Sequence, residues 1–184
     1  INSGNTKVAL VIGVEKMTGK DTKGVTESLM TASYQAEESE VSFPQVFSRF
    51  AHTYFQKYGN KSEILARIAA KNHKNSVHNP LAQMQKDVGF EFCNTISDKN
   101  PLVASPLRLT DCSLVSDGAA ALVMVSDELE ENFENSVKFR SAVQVNDFLP
   151  MSSRDILKFE GPAKAFSDAY KEAGITIDDV DFAE

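Results

Sequence analysis

The chain has 184 residues and a formal net charge of -7, from 19 Lys and Arg against 26 Asp and Glu, with an isoelectric point near 5.0. That acidic balance argues against nucleic acid as the main partner, because phosphate binding needs a basic surface. At 42% hydrophobic and 24% charged, the composition is that of a globular chain long enough for one large domain or two small ones.

Lys7–Val14, KVALVIGV, is a continuous apolar run, which predicts a strand buried on both faces of a parallel or mixed sheet. It is strand-sized and too short for a membrane span. EKMTGKDTKG reads as a loop, and the polar stretch from there to Glu40 as irregular. Ser42–Gly59 predicts the clearest helix, with Phe43, Phe47, Phe50, Tyr54 and Tyr58 among the apolar positions of one face. Ser42 and Gln45 fit a capping box, Pro44 the first turn, and Gly59 a left-handed stop. A second helix is expected from Ser62 to about Asn72, packed as a hairpin on the first because the link is short. Asn79-Pro80 predicts a short helix start. FEFCNTIS fits strand or helix equally, and NPLVASPLRL is extended, since residues before proline avoid the helical region. Gly118–Val125, GAAALVMV, reads as a buried strand and Ser126 as the cap of a short acidic helix. Val137–Val145 alternates as a strand does. The segment from Gly161-Pro162 to Gly174 predicts a helix, and VDFAE the start of another strand. Strands and helices thus flank a helical middle, which is an α/β pattern with a large insertion.

The middle differs electrostatically from the rest. From Arg49 to Lys86 lie Arg49, Lys57, Lys61, Arg67, Lys71, Lys74 and Lys86 against the single acid Glu63, with His52, His73 and His78. A basic stretch in an acidic chain points either to an anionic partner or to a solvated helix surface. His73 and His78 have no Cys/His cluster to complete a metal site. Cys93 and Cys112 make no disulfide framework, so a reducing intracellular setting is expected and both read as inert thiols. Asp111 and Asp117 read as turn formers. Met17, Met30 and Met84 could line an acyl tunnel or simply fill gaps. The three alanines Ala119–Ala121 leave space for close approach of a helix, strand or ligand, beside the hydroxyls of Ser113 and Ser116. The chain opens at Ile1 and stops in Asp-Phe-Ala-Glu, which reads as a piece of a longer protein.

DCSLVSDGAAALVM, KVALVIGVEKMTG and KNHKNSVHNPLAQMQ together resemble motifs of the thiolase family, in the branch of archaeal and sterol-carrier-protein-type thiolases. SFPQVFSRFAHTYFQKYG, SPLRLTDCS and GPAKAFSDAYKEAGITIDDVDFAE extend the resemblance in the same order. It implies a partial thiolase-type fold, layered α-β-α-β-α, with a helical loop domain inserted. Residues 1–19 would end a strand of the N-terminal half and residues 20–115 would be the loop domain. Residues 116–136 would close the N-terminal half, and residues 137–184 would open the C-terminal half. The implied activity is acyl transfer, cleaving or condensing 3-ketoacyl-coenzyme A with acetyl-coenzyme A through a cysteine thioester. A thiolase-like lyase, or a non-catalytic coenzyme A or lipid-binding protein, is the alternative. Ser113, five residues before the glycine of the DGAAA motif, is implied to contact the pantetheine arm of coenzyme A, with Leu114 beside it. His73 is a candidate for lining the same site, or else caps helix-end carbonyls. Neither cysteine matches a catalytic position, so this stretch alone is expected to be inactive. No cofactor is implied beyond coenzyme A as substrate. The parent is expected to be a homodimer or homotetramer, cytoplasmic, or peroxisomal or mitochondrial in a eukaryote.

Overall fold

The computed structural model describes residue 1 and residues 3–38 and 41–183, in two compact units, Ile1–Gly19 with Ser116–Glu184 and Lys20–Val115. The architecture is mixed α/β, with most helices gathered in the insertion between two paired strands.

In the first unit, β1 (Val8–Glu15) pairs antiparallel with β4 (Gly118–Val125), in register from Val8 opposite Val125 to Glu15 opposite Gly118. The alanines Ala119, Ala120 and Ala121 sit opposite Val14, Gly13 and Ile12. Both strands form where the apolar runs predict them, but burial on both faces does not follow. Ile12 and Val123 remain about three-fifths exposed, at 61% and 59%, so the described residues leave the sheet open. The turn before β4 is held by Asp117, whose carboxylate accepts the backbone N–H groups of Met17 and Thr18, both at 2.8 Å, and the Thr18 hydroxyl. Asp117 therefore clamps the end of β1 to the start of β4 and does more than shape its own turn.

Further on, Asp127–Asn132 is a 3-10 turn rather than an acidic α-helix. The Ser126 hydroxyl donates to Glu128 instead of capping the backbone. No strand is assigned between 137 and 145 among the described residues; the alternation is apolar, but no ladder pairs with it. The helix α6 (Glu160–Ala173) forms as predicted and ends at Gly174, whose φ of 65° is the left-handed conformation glycine tolerates. The expected strand at VDFAE is not formed: Val180–Ala183 is coil following a 3-10 turn (Ile177–Asp179), and Glu184 lies outside the described residues.

The second unit holds the buried core. The stretch read as irregular contains α1 (Thr22–Met30), capped by the Asp21 carboxylate accepting from the Gly24 N–H, and the short α2 (Gln35–Glu38). Val25 and Met30 bury one side of α1; two apolar anchors in a polar sequence give little periodicity to read. Residues 39 and 40 of that stretch lie outside the described residues. The helix α3 (Phe43–Tyr58) carries the predicted capping box between Ser42 and Gln45. Gly59 has a positive φ, but its ψ of 168° is extended rather than left-handed helical. The helix α4 runs from Ser62 to Ser76, four residues past the predicted end. It packs on α5 (Gly89–Asn94) and on the 3-10 turn Leu109–Asp111, while α3 packs on β2 (Leu102–Ala104) and β3 (Leu107–Arg108). The expected α3–α4 hairpin is thus replaced by packing on different neighbours. Asn79-Pro80 opens a turn, not a helix, with the Asn79 side chain accepting from the Leu81 N–H.

The core of this unit is Ala66, Ala69 and Cys93, flanked by Val88, Phe90 and Phe92. Small side chains on α4 let α5 approach closely. A fully buried asparagine ties the assembly together. The Asn100 amide N–H groups reach the carbonyls of Phe92, Cys93 and Thr95 at 3.0, 3.3 and 3.2 Å, and its carbonyl accepts the Thr110 N–H at 3.0 Å. Arg108, 2% exposed, donates from Nε to Asp111 at 3.1 Å, from Nη1 to the Asn94 side chain at 3.3 Å, and from Nη2 to the Ser62 carbonyl that opens α4.

Asn100→Ala should destabilise the chain by about 3 kcal/mol, because it strands buried carbonyls and an N–H. Asn100→Asp at neutral pH should be no milder, since it sets carboxylate oxygens against carbonyls; denaturant unfolding measures both. The Thr18 hydroxyl and the Thr18 and Met17 N–H groups hold the Asp117 carboxyl down to about 2. A depressed folded value means its stabilisation is present above the ordinary carboxylate range and is lost as pH falls through about 2. Unfolding midpoints followed from about pH 5 to about pH 2 should therefore drop more for the parent than for Asp117→Asn; parallel profiles would contradict the clamp.

Candidate functional site

The last turn of α4, the loop 77–88 and the chain leaving β3 line an open cavity of about 570 Å³ in the second unit. That volume lies within the usual range for small-molecule sites, about 300–1,000 Å³. Asn100 and Arg108 hold its walls in place. Asn100 binds the end of α5 to Thr110, and Arg108 binds Asp111 to the start of α4. Thr110 and Asp111 lead directly into Ser113 and Leu114.

The three residues singled out from the sequence meet here: His73 from α4, and Ser113 and Leu114 from the segment after β3, all line the cavity. Ser113 and Leu114 are exposed and His73 is half-buried. The His73 Nδ1–H donates to the Lys86 carbonyl at 3.2 Å. A carbonyl can only accept, so Nδ1 carries the proton in this bond and Nε2 is left for another partner. The carbonyl His73 serves belongs to the following loop, not to its own helix end. The Ser76 hydroxyl, one helical turn on, sits against the carbonyls of His73 and Met84.

Apolar surface comes from Met84, Phe92, Leu109 and Leu114. Met17 lies in the other unit and Met30 is buried on α1, so of the three methionines considered for a tunnel only Met84 lines the cavity. The rim is cationic. Lys86 and Lys99 line it, exposed, and among the described residues neither is paired with a carboxylate. Part of the basic stretch is internally neutralised, since Arg67 binds Glu63 at 2.6 Å and Arg49 faces Glu38 at 3.8 Å. Asp111 is compensated by Arg108, so the cavity presents net positive charge.

Neither thiol is activated. Burial pushes the Cys93 thiol up, against a lowering by the Thr110 hydroxyl, with Asp111 raising it further. Burial, and then Asp111, push up the Cys112 thiol, which lines the cavity half-buried. A nucleophilic cysteine needs the opposite shift. Among the described residues no cluster of His, Cys, Asp or Glu could hold a metal ion, and no helix is long and apolar enough to cross a membrane. In the first unit a hollow of about 530 Å³ is lined by Asp127, Glu128, Glu130 and Glu131; its carboxylates repel an anionic ligand.

Lys86 belongs to the basic stretch read from the sequence, whereas Ser76, Lys99 and the Asn100–Arg108 support were missed. Ser76 and Lys86 fall in or beside the quoted KNHKNSVHNPLAQMQ segment, so their neighbourhood was readable but their individual roles were not. Asn100 reaches partners five to ten residues away and Arg108 joins Asp111, three residues on, to Ser62, 46 residues back, so neither set of partners falls on a repeating pattern.

Residues 1–128 match the thiolase N-terminal domain. The whole chain aligns with an acetyl-CoA acetyltransferase of Methanothermobacter thermautotrophicus, at 34% identity over 188 positions and 48% of that protein's length. A second acetyl-CoA acetyltransferase, from Methanocaldococcus jannaschii, is 37% identical over 190 positions and 47% of its length. Human sterol carrier protein 2 is 29% identical along the whole chain, which covers 36% of it. The chain spans about half the length of the two archaeal relatives. Since 128 of its 184 residues fall within one family domain, the chain belongs to the thiolase family.

Proposed function

We propose that this chain is part of a thiolase-type acyltransferase that cleaves or condenses 3-ketoacyl-coenzyme A with acetyl-coenzyme A, and that residues 20–115 supply part of the coenzyme A site. The observation that carries the reading is the convergence of His73, Ser113 and Leu114 on one cationic-rimmed cavity. Coenzyme A combines a polyanionic nucleotide end with a neutral, amide-bearing pantetheine arm. Lys86 and Lys99 suit the first by charge. Leu114, Met84 and Phe92 offer apolar walls to the second, and Ser113 and His73 Nε2 offer it hydrogen bonds.

The acyl-transfer step needs a thiolate with a lowered pKa. Cys93 and Cys112 are both shifted the wrong way. The nucleophile is therefore assigned to a part of the protein beyond these 184 residues, and this chain is assigned the binding of the coenzyme. In the proposed parent enzyme the chain works as a homodimer or homotetramer in the cytoplasm, or in a peroxisome or mitochondrion if the source is eukaryotic. Two unpaired cysteines fit such a reducing setting.

Calorimetric titration of the chain with coenzyme A should show binding that weakens as salt is raised, because exposed lysines at the rim are screened. Ser113→Ala should lose about fivefold to tenfold in affinity, the worth of one hydrogen bond to a ligand. Unchanged affinity in that variant would remove Ser113 from the site; no binding by the parent chain would overturn the reading.

A further inference from the structure

We infer that His73 and Ser76 form a latch that sets the position of the loop 77–88, and through it the wall of the cavity that keeps the ligand in place. The inference rests on the coenzyme A reading of that cavity for its ligand, and on the geometry alone for the latch. The loop has no regular secondary structure between the end of α4 and the start of α5. It nevertheless contributes Ala82, Met84 and Lys86 to the cavity. Apolar burial anchors its C-terminal end, where Val88 packs on the core, but not its middle: Leu81 is 89% exposed and Met84 43%. The fastening of the middle is polar. Ser76 Oγ lies within hydrogen-bond reach of the Met84 carbonyl, its one proton shared with the His73 carbonyl of its own helix, and His73 Nδ1–H donates to the Lys86 carbonyl. Inside the loop, the Gln85 side chain donates to the Asn79 carbonyl at 3.0 Å, which shapes the segment without tying it to α4.

The two latch residues are one turn apart on α4, so they face the same side of the helix. They reach carbonyls two residues apart in the loop, either side of Gln85. An extended segment points alternate groups the same way, so both bonds can form together. His73 then has two tasks at separate atoms. Nδ1 holds the loop, and Nε2 is left to meet a ligand. A loop held by a few exposed polar bonds sits at the low end of local stability, so the latch governs how often the cavity wall opens. His73 and Ser76 are in this sense positioning residues, acting on the ligand through Met84 and Lys86.

Substitutions separate the two tasks of His73. An asparagine amide can replace Nδ1–H but not Nε2, whereas glutamine reaches toward the Nε2 position and forfeits the latch. Amide hydrogen exchange of residues 77–88, read on the full chain without ligand, should speed up by about fivefold in Ser76→Ala and His73→Gln, and little in His73→Asn or Ser76→Thr. With coenzyme A bound, dissociation should quicken by a similar factor in Ser76→Ala. Exchange unchanged in both Ser76→Ala and His73→Gln would overturn the latch. A loosened loop with unchanged coenzyme A dissociation would overturn its control of the ligand. Loosened loops in the variants, with no coenzyme A binding by the parent, would support the latch while sinking the functional reading on which its ligand depends.

Discussion

The buried side chain of Asn100 is the interaction on which the second unit depends. A helix end leaves carbonyls without partners, and burying them unpaired is costly. Here one amide meets the carbonyls of Phe92, Cys93 and Thr95, and its own oxygen takes up the Thr110 N–H. The helix stop and the course of the following segment are thereby fixed by the same residue. Arg108 repeats the arrangement at the start of α4. It joins Asp111, Asn94 and the first carbonyl of α4 through one planar guanidinium. Because an apolar core of Ala66, Ala69 and Cys93 is small, this polar network specifies the geometry that hydrophobic burial alone would leave loose.

The cavity is a by-product of that geometry. Fixing Thr110 and Asp111 delivers Ser113 and Leu114 to a place beside the last turn of α4, where His73 waits. The same buried pair also tunes the charge. Arg108 cancels Asp111 inside, leaving Lys86 and Lys99 to dominate the rim. A chain of net charge -7 thus presents a cationic opening, while its carboxylates gather in the other unit around Asp127–Glu131. The placement of charge, rather than its total, decides which ligand each surface tolerates.

What the sequence made readable was whatever rests on neighbours in the chain. The capping box of α3, the Gly174 stop of α6 and the strands β1 and β4 are all local signals, and all appear. Errors arose where a distant partner decides. The α3–α4 hairpin failed because α4 is drawn to α5 by small side chains and to Ser62's partner Arg108. The alternation at 137–145 looked like a strand, but alternation alone cannot supply a ladder. The helix α1 was missed because only Val25 and Met30 anchor it. For the site, His73, Ser113 and Leu114 came from resemblance to family motifs, and the structure adds the residues that hold them: Ser76, Asn100 and Arg108. Support residues of this kind act through backbone atoms of remote segments, which leaves no periodic trace.

The most direct measurement is a two-dimensional amide NMR titration of the isotopically labelled chain with coenzyme A. If the cavity in residues 20–115 is the coenzyme site, the largest shifts should cluster at His73 and Ser76, at Met84 and Lys86, and at Ser113 and Leu114. Shifts that avoid these residues, or fall instead on the hollow around Asp127–Glu131, would contradict it.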